Sequence, residues 1–235
     1  MQVAYRKRWS PGWKMTAFVA VFLPLLASLG VWQISRADEK RVREELVFER
    51  LGMLPVVVPE SIEGMQYRHV RLVGAFESNR YFLLDNQMVQ GTPGYWIIAS
   101  FLSTDGRRWL VNRGWIPAPR LREDLPEVAF IEGQLTLTGI IWPQLGMVPL
   151  LAEDVWPQTW PKRVQRMNIA RMAATLDNTT AVEIRLEDGQ PGVLKPVKLY
   201  TGVGVDRHLG YAAQWFGLAV VLMIGYVFVG LKPSG

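Results

Sequence analysis

The stretch Leu209–Leu231 reads "LGYAAQWFGLAVVLMIGYVFVGL", 23 residues without one charge. As a helix it is about 34 Å long, enough to cross a hydrocarbon core of about 30 Å. Tyr211 and Trp215 near its start and Tyr226 near its end suit headgroup depth, where amphipathic rings collect. A buried core helix is the alternative, and so long an uncharged run argues against it. Near the other end Met15–Ile34, "MTAFVAVFLPLLASLGVWQI", is a second run of 20 uncharged residues. Pro24 in its middle is tolerated when neighbouring helices satisfy the freed carbonyl. A cleaved signal peptide would have a shorter apolar core ending in A-x-A, which Ala27-Ser28-Leu29 fits poorly. Two spans are therefore expected, at 15–35 and 208–231, with short tails at 1–14 and 232–235 and one domain over 36–207.

Charge gives the orientation. The formal net charge is +5, yet all 21 acids lie between Arg36 and Arg207, and only five of the 26 basic residues lie outside that segment. The domain is thus neutral, and the surplus sits at the ends as Arg6, Lys7, Arg8, Lys14 and Lys232. A nucleic-acid binder would carry its surplus on the folded domain, so no nucleic-acid partner is expected. Basic ends beside apolar runs instead place both termini in the cytoplasm and the domain outside, in a bacterium the periplasm. Lipid is then the first partner.

Between the spans, 35–51 reads as a solvated helix with Glu39/Arg43 and Arg41/Glu45 four apart. Strand patterns follow at 67–77, 81–86, 95–102, 107–116, 133–141, 182–186 and 193–200, broken by Gly, Pro, Asn and Asp. A short helix fits 168–176, and 142–161, rich in Pro and Trp, reads as a long loop. The fold expected is membrane-anchored α+β: two transmembrane helices flanking a mainly antiparallel β-barrel or sandwich with minor helices.

Enzyme signatures are missing. There is no GxSxG, HExxH or Walker loop, and "YTGVGVDRHLG" at 200–210 misplaces the third glycine of a dinucleotide site. With no cysteine, disulfides, thiolate metal sites and CxxCH haem attachment are excluded. Of the two histidines, His69 falls on the polar face of a strand pattern, whereas His208 stands at the outer edge of the second span. Gln33 and Arg36 close the first span at the same depth. Helix spacing puts His208, Tyr211, Ala212, Trp215 and Ala219 on one side, the alanines leaving room for something flat. Ala213 and Gly217, four apart, would let the two helices approach closely.

A helix N-terminus disfavours imidazolium, so His208 is expected to be a neutral imidazole able to donate a lone pair to iron. Arg36 and Arg207 could pair with carboxylates such as haem propionates. The bland readings stand beside these: belt aromatics, an interfacial arginine and a hydrogen-bonded cap.

Three blocks, "LGVWQISRADEK" (29–40), "VNRGWIP" (111–117) and "RHLGYAAQWFGLA" (207–219), resemble the signatures of the Surfeit locus protein 1 family. The blocks occur in order over nearly the whole chain. The resemblance implies a non-enzymatic assembly factor for haem-copper cytochrome c oxidase in a bacterial inner membrane. It also implies a role in placing haem a into the catalytic subunit, in company with the haem a synthesis enzymes. Carried over by position, Trp32, Gln33, Arg36, His208, Tyr211 and Trp215 match the outer blocks and would line a transient haem a site. His208 would be the iron ligand. Asn112, Arg113, Gly114 and Trp115 match the central block, where an alternating strand ends at a glycine turn and reads as fold maintenance or docking. No signature covers 120–180.

Overall fold

The computed structural model describes residues 8–144, 155–197 and 204–232. In chain order these form β1 (Arg8–Trp9), α1 (Trp13–Leu51), β2 (Val56–Val57), β3 (His69–Val89), β4 (Thr92–Ser103) and β5 (Arg108–Pro117). Then come β6 (Leu135–Trp142), β7 (Lys162–Val164), α2 (Ile169–Ala174), β8 (Thr179–Leu186), α3 (Val205–Gly230) and β9 (Leu231–Lys232). They divide into two units, one of Met1–Leu46 with Tyr200–Gly235 and one of Val47–Leu199.

In the first unit, α1 and α3 are both long and apolar enough to cross a membrane, each with a mean hydropathy of 2.0 over its best window. α1 is one unbroken helix of 39 residues, passing through Pro24 and including the stretch expected as a separate solvated helix. Its charged turns pair differently from the expected spacing. Arg36 meets Glu39 at 2.7 Å and Arg41 meets Asp38 at 3.3 Å, both three apart, while Lys40 meets Glu44 at 3.4 Å. α1 and α3 run antiparallel, as three contacts along them show. β1 pairs with β9, the Thr16 hydroxyl lies 2.9 Å from that of Tyr226, and His208 lies 2.9 Å from Gln33.

The second unit is a seven-stranded sheet in the order β2-β3-β4-β5-β8-β6, with β7 beside β3 and β6 pairing back to β3. It is mixed: β3–β4, β3–β6, β4–β5 and β6–β8 pair antiparallel, as expected for most of the sheet, whereas β2–β3, β3–β7 and β5–β8 are parallel. Parallel partners need a long crossover, and β8 returns to β5 only after β6, β7 and α2. Alternation along a strand reports faces, not the direction of the neighbour. The two strand patterns at 67–77 and 81–86 are one strand, β3, whose register shifts between Phe76 and Tyr81. The 193–200 pattern forms a single bridge, Lys195 to Trp115, and its last residues lie outside the described ones. Half of the expected 142–161 loop, residues 145–154, also lies outside them.

Both faces of the sheet are apolar, with successive residues turned opposite ways. Ala99, Phe101, Trp109 and Val111 join Leu72, Leu137 and Ile184 in one core, whereas Ile98 and Leu110 turn toward Met172 and Ala173 of α2 in another. α2 is placed by Asn168, whose side-chain oxygen accepts from the Arg171 N–H at 3.0 Å as an N-cap.

Candidate functional site

In the first unit the close seam on α3 is narrower than helix spacing suggested. Ala212 and Ala219 are buried, His208 and Trp215 are half-buried, and Tyr211 is 47% exposed. The seam thus repeats at 208, 212, 215 and 219, the three-and-four spacing of knobs-into-holes packing, which leaves Tyr211 to one side. Ala213 and Gly217 are exposed, and a Cβ on Gly217 would meet nothing within 4 Å, so this pair does not make the close approach expected of it. Gly30 does: a Cβ there would stand 2.7 Å from Cζ of Phe216.

One polar contact crosses the described seam at the end that holds His208. Nδ1 of His208 lies 2.9 Å from Oε1 of Gln33, which fixes the plane of the imidazole. When Nδ1 carries the proton it donates to Gln33, and Nε2 keeps its lone pair for another partner. The remaining expected residues do not gather on this pair. The Arg36 guanidinium is bound to Glu39 and stands 5.7 Å from the centre of the Trp32 ring, and Trp32 is half exposed. Arg207 is exposed in the first turn of α3. His69, on the other unit, is not free on a polar face, since its Nε2 meets Glu187 at 2.9 Å.

The central block is built into the sheet. Asn112, Arg113 and Trp115 are all buried. Asn112 uses both ends of its carboxamide: Nδ2–H donates to Glu183 at 2.7 Å, and Oδ1 accepts from the Gly114 N–H at 2.9 Å. Gly114 has φ +105°, and a Cβ there would stand 2.3 Å from the Lys195 carbonyl oxygen. Arg113 donates from Nε to Gly192 O and from Nη2 to Ala129 O, each at 2.7 Å. Its guanidinium carbon stands 5.0 Å from the Phe76 ring and 4.4 Å from that of Phe130. Burial pulls the Arg113 pKa down to about 10 against a smaller opposing effect of Tyr81, whose own hydroxyl is pushed up by burial. A buried cation tied to two loop carbonyls is a structural clamp.

Sequence reasoning missed the partner of Asn112. Glu183 and Arg185 fall in the 182–186 strand pattern, to which no site role was assigned. Glu183 is 3% exposed, and its carboxylate takes Arg185 Nε–H at 2.8 Å as well as Asn112. The Arg185 guanidinium carbon stands 5.3 Å from the centre of the Trp96 ring and 4.1 Å from that of Trp142.

The chain is thus a protein of two apolar, membrane-length helices that flank a mixed-sheet domain in the sequence, with a histidine–glutamine pair between the helices. Among the described residues no cluster of three or more His, Asp or Glu could hold a metal ion. It belongs to the SURF1 family, whose model matches residues 20–220. A SURF1-like protein of Rickettsia conorii is 25% identical over 91% of this chain and 90% of its own length. Human Surfeit locus protein 1 is 24% identical over 86% of this chain and 73% of its own length. A Caenorhabditis elegans SURF1-like protein is 24% identical over 92% of this chain and 74% of its own.

Proposed function

We propose that this protein is a two-pass assembly factor for haem-copper cytochrome c oxidase that holds haem a transiently at His208 and assists its placement in the catalytic subunit. In this reading it works beside the haem a synthesis enzymes and catalyses no reaction itself. Both termini are cytoplasmic and the sheet domain stands on the outer side of a bacterial inner membrane. Membrane anchoring is supported by the length and hydropathy of α1 and α3, and the orientation by the basic ends.

The observation that carries the cofactor reading is the Gln33–His208 pair. A histidine that ligates a metal ordinarily gives its other ring N–H to an acceptor, which sets the tautomer and the ring plane. Oε1 of Gln33 is such an acceptor at 2.9 Å from Nδ1, so the donor chemistry fits an iron partner at Nε2. Haem, when bound, would supply an iron centre and two carboxylates. In this reading exposed Arg207 would meet one carboxylate, while Arg36 would have to exchange Glu39 for the other. Exposed Trp32 and Tyr211 offer flat apolar surface beside the pair.

That Arg36 is already engaged favours a second reading, in which the same assembly role is met through protein contacts without cofactor. One experiment separates them: purification from cells that make haem a, an absorbance spectrum, and oxidase content in a deletion strain carrying each variant. The cofactor reading expects bound haem in the wild type, its loss in His208→Ala, and an altered spectrum in Gln33→Leu, with the sheet domain still folded. Full oxidase content with His208→Ala and no haem in any preparation would replace it by the scaffold reading. Unchanged oxidase in the deletion strain would refute both.

A further inference from the structure

The short ribbon that joins the two ends of the chain carries a charge that no other part of the chain answers. β1 pairs antiparallel with β9, and the register sets Arg8 opposite Lys232 and Trp9 opposite Leu231. Like charges directly opposed destabilise a strand pair. An aromatic contact holds this one. The Trp9 ring meets that of Tyr226 edge-on with centroids 5.5 Å apart, and a Cβ on Gly230 would stand 2.3 Å from Trp9 Nε1. The Ser10 N–H donates to Gly230 O at 2.7 Å, and the Tyr226 hydroxyl in turn lies 2.9 Å from that of Thr16 on α1.

Lys14 adds to this charge from the first turn of α1, which holds no acid, and Arg6 and Lys7 precede Arg8 in the sequence. No Asp or Glu occurs before Asp38 or after Asp206. Asp38 stands about 36 Å beyond Lys14 along the axis of α1, and Asp206 about as far up α3 from Gly230. Each distance is several Debye lengths of about 8 Å, so neither acid neutralises the ribbon. The counter-ion must come from outside the chain. Trp9 and Trp13 are 55% and 77% exposed at this same end, and exposed tryptophan at the end of a membrane-length helix suits the headgroup layer. Phe228, 79% exposed on α3, offers apolar surface below it. Positive charge, interfacial rings and an apolar flank together select an anion borne on a lipid over one free in water.

We propose that this end of the protein binds the phosphate groups of anionic glycerophospholipids, with the Arg8–Lys232 register and Lys14 supplying the positive charge and Trp9 and Trp13 lying in the headgroup layer. The proposal rests on the membrane reading of α1 and α3, and is independent of the haem reading, which concerns their opposite ends. A soluble phosphodiester presents the same oxygens without the acyl chains.

The test uses the full chain in dodecyl maltoside micelles and native mass spectrometry, titrated separately with phosphatidylglycerol, phosphatidylcholine and glycerophosphoglycerol, the first lipid's headgroup without its chains. Phosphatidylglycerol should bind at least about tenfold more tightly than phosphatidylcholine, and the bare headgroup should not be retained. Each basic residue near an anionic headgroup is worth roughly fivefold, so Arg8→Gln with Lys232→Gln should weaken phosphatidylglycerol about twentyfold. Arg71→Gln, which removes an exposed cation of the sheet domain, should change nothing. Trp9→Ala keeps every charge but frees the ribbon from Tyr226 and Gly230, and should weaken the anionic lipid while sparing phosphatidylcholine. The proposal is overturned if the two lipids bind alike, if the bare headgroup binds as well as the lipid, or if either the double variant or Trp9→Ala binds as the wild type does. The membrane reading is tested apart from it. The chain has no cysteine, so Ser234→Cys in intact cells gives a membrane-impermeant maleimide a single target. Labelling there would refute the cytoplasmic placement of the ends, whatever the micelles show.

Discussion

Gly114→Ala tests the joint between the central block and the 193–197 segment. The native φ of +105° lies outside the regions open to residues with a Cβ, and forcing alanine there costs about 1–3 kcal/mol. Space is the second obstacle, because the new Cβ would lie 2.3 Å from Lys195 O and 2.8 Å from its carbonyl carbon. Those are backbone atoms, so the segment must move as a whole. Moving it breaks the bridge in which Trp115 N–H donates to Lys195 O at 2.7 Å and Lys195 N–H to Trp115 O at 3.2 Å. At about 1 kcal/mol for each bond the total reaches roughly 3–5 kcal/mol, a large share of the 5–15 kcal/mol that holds a domain together. Urea unfolding of the detergent-solubilised chain, followed by tryptophan fluorescence, should show a lower midpoint with an unchanged slope. Gly106→Ala is the control: φ is +83° there, but a Cβ would meet nothing within 4 Å, so only the backbone strain remains. Equal losses in the two variants would refute the close approach, and no loss in Gly114→Ala would refute the joint altogether.

Three further outcomes follow from the same geometry. Arg113→Met should cost about 2–4 kcal/mol in the same urea assay, because Gly192 O and Ala129 O lose charged donors, and Arg113→Lys should recover only part since one ammonium cannot reach as the fork does. Asp105 is subject to a burial effect that alone would raise its pKa, but hydrogen bonds from Ser103 and Arg107 outweigh it and hold the folded value at about 2 against an ordinary 3.8. A lowered carboxylate contributes stability above the ordinary value and loses it as the pH falls toward the folded one, so Asp105→Asn should be less stable at neutral pH, the gap closing at about pH 2 in pH-stepped denaturation. In the first unit Gly30→Val should lower the thermal midpoint in detergent by driving a methyl into Phe216, and adding Phe216→Ala should recover part of it; no recovery would mean that the two residues do not meet.

The candidate residues were legible in unequal degree. His208 and Gln33 stood out because a titratable group and an amide at the edges of two uncharged runs are locally conspicuous, and the structure joins them at 2.9 Å. Tyr211 stands 47% exposed beside the close seam, since a helical face drawn from spacing is wider than the seam that one neighbouring helix covers. The Asn112–Glu183–Arg185 network was invisible: its members come from β5 and β8, whose pairing is parallel and separated by some 70 positions of chain. An alternating Glu-Ile-Arg looks the same whether its polar side faces water or two tryptophans.

Hydropathy and charge alone determined the two apolar helices, the neutrality of the enclosed segment and most strand positions, because each depends on a run of neighbouring residues and on its own transfer from water. Only the tertiary structure decided that α1 runs unbroken to Leu51, that the sheet is mixed, and that Gly30 rather than Gly217 meets the opposing helix. These are questions of which distant segment lies alongside, settled by packing and hydrogen-bond satisfaction over the whole chain, and no local pattern carries that information.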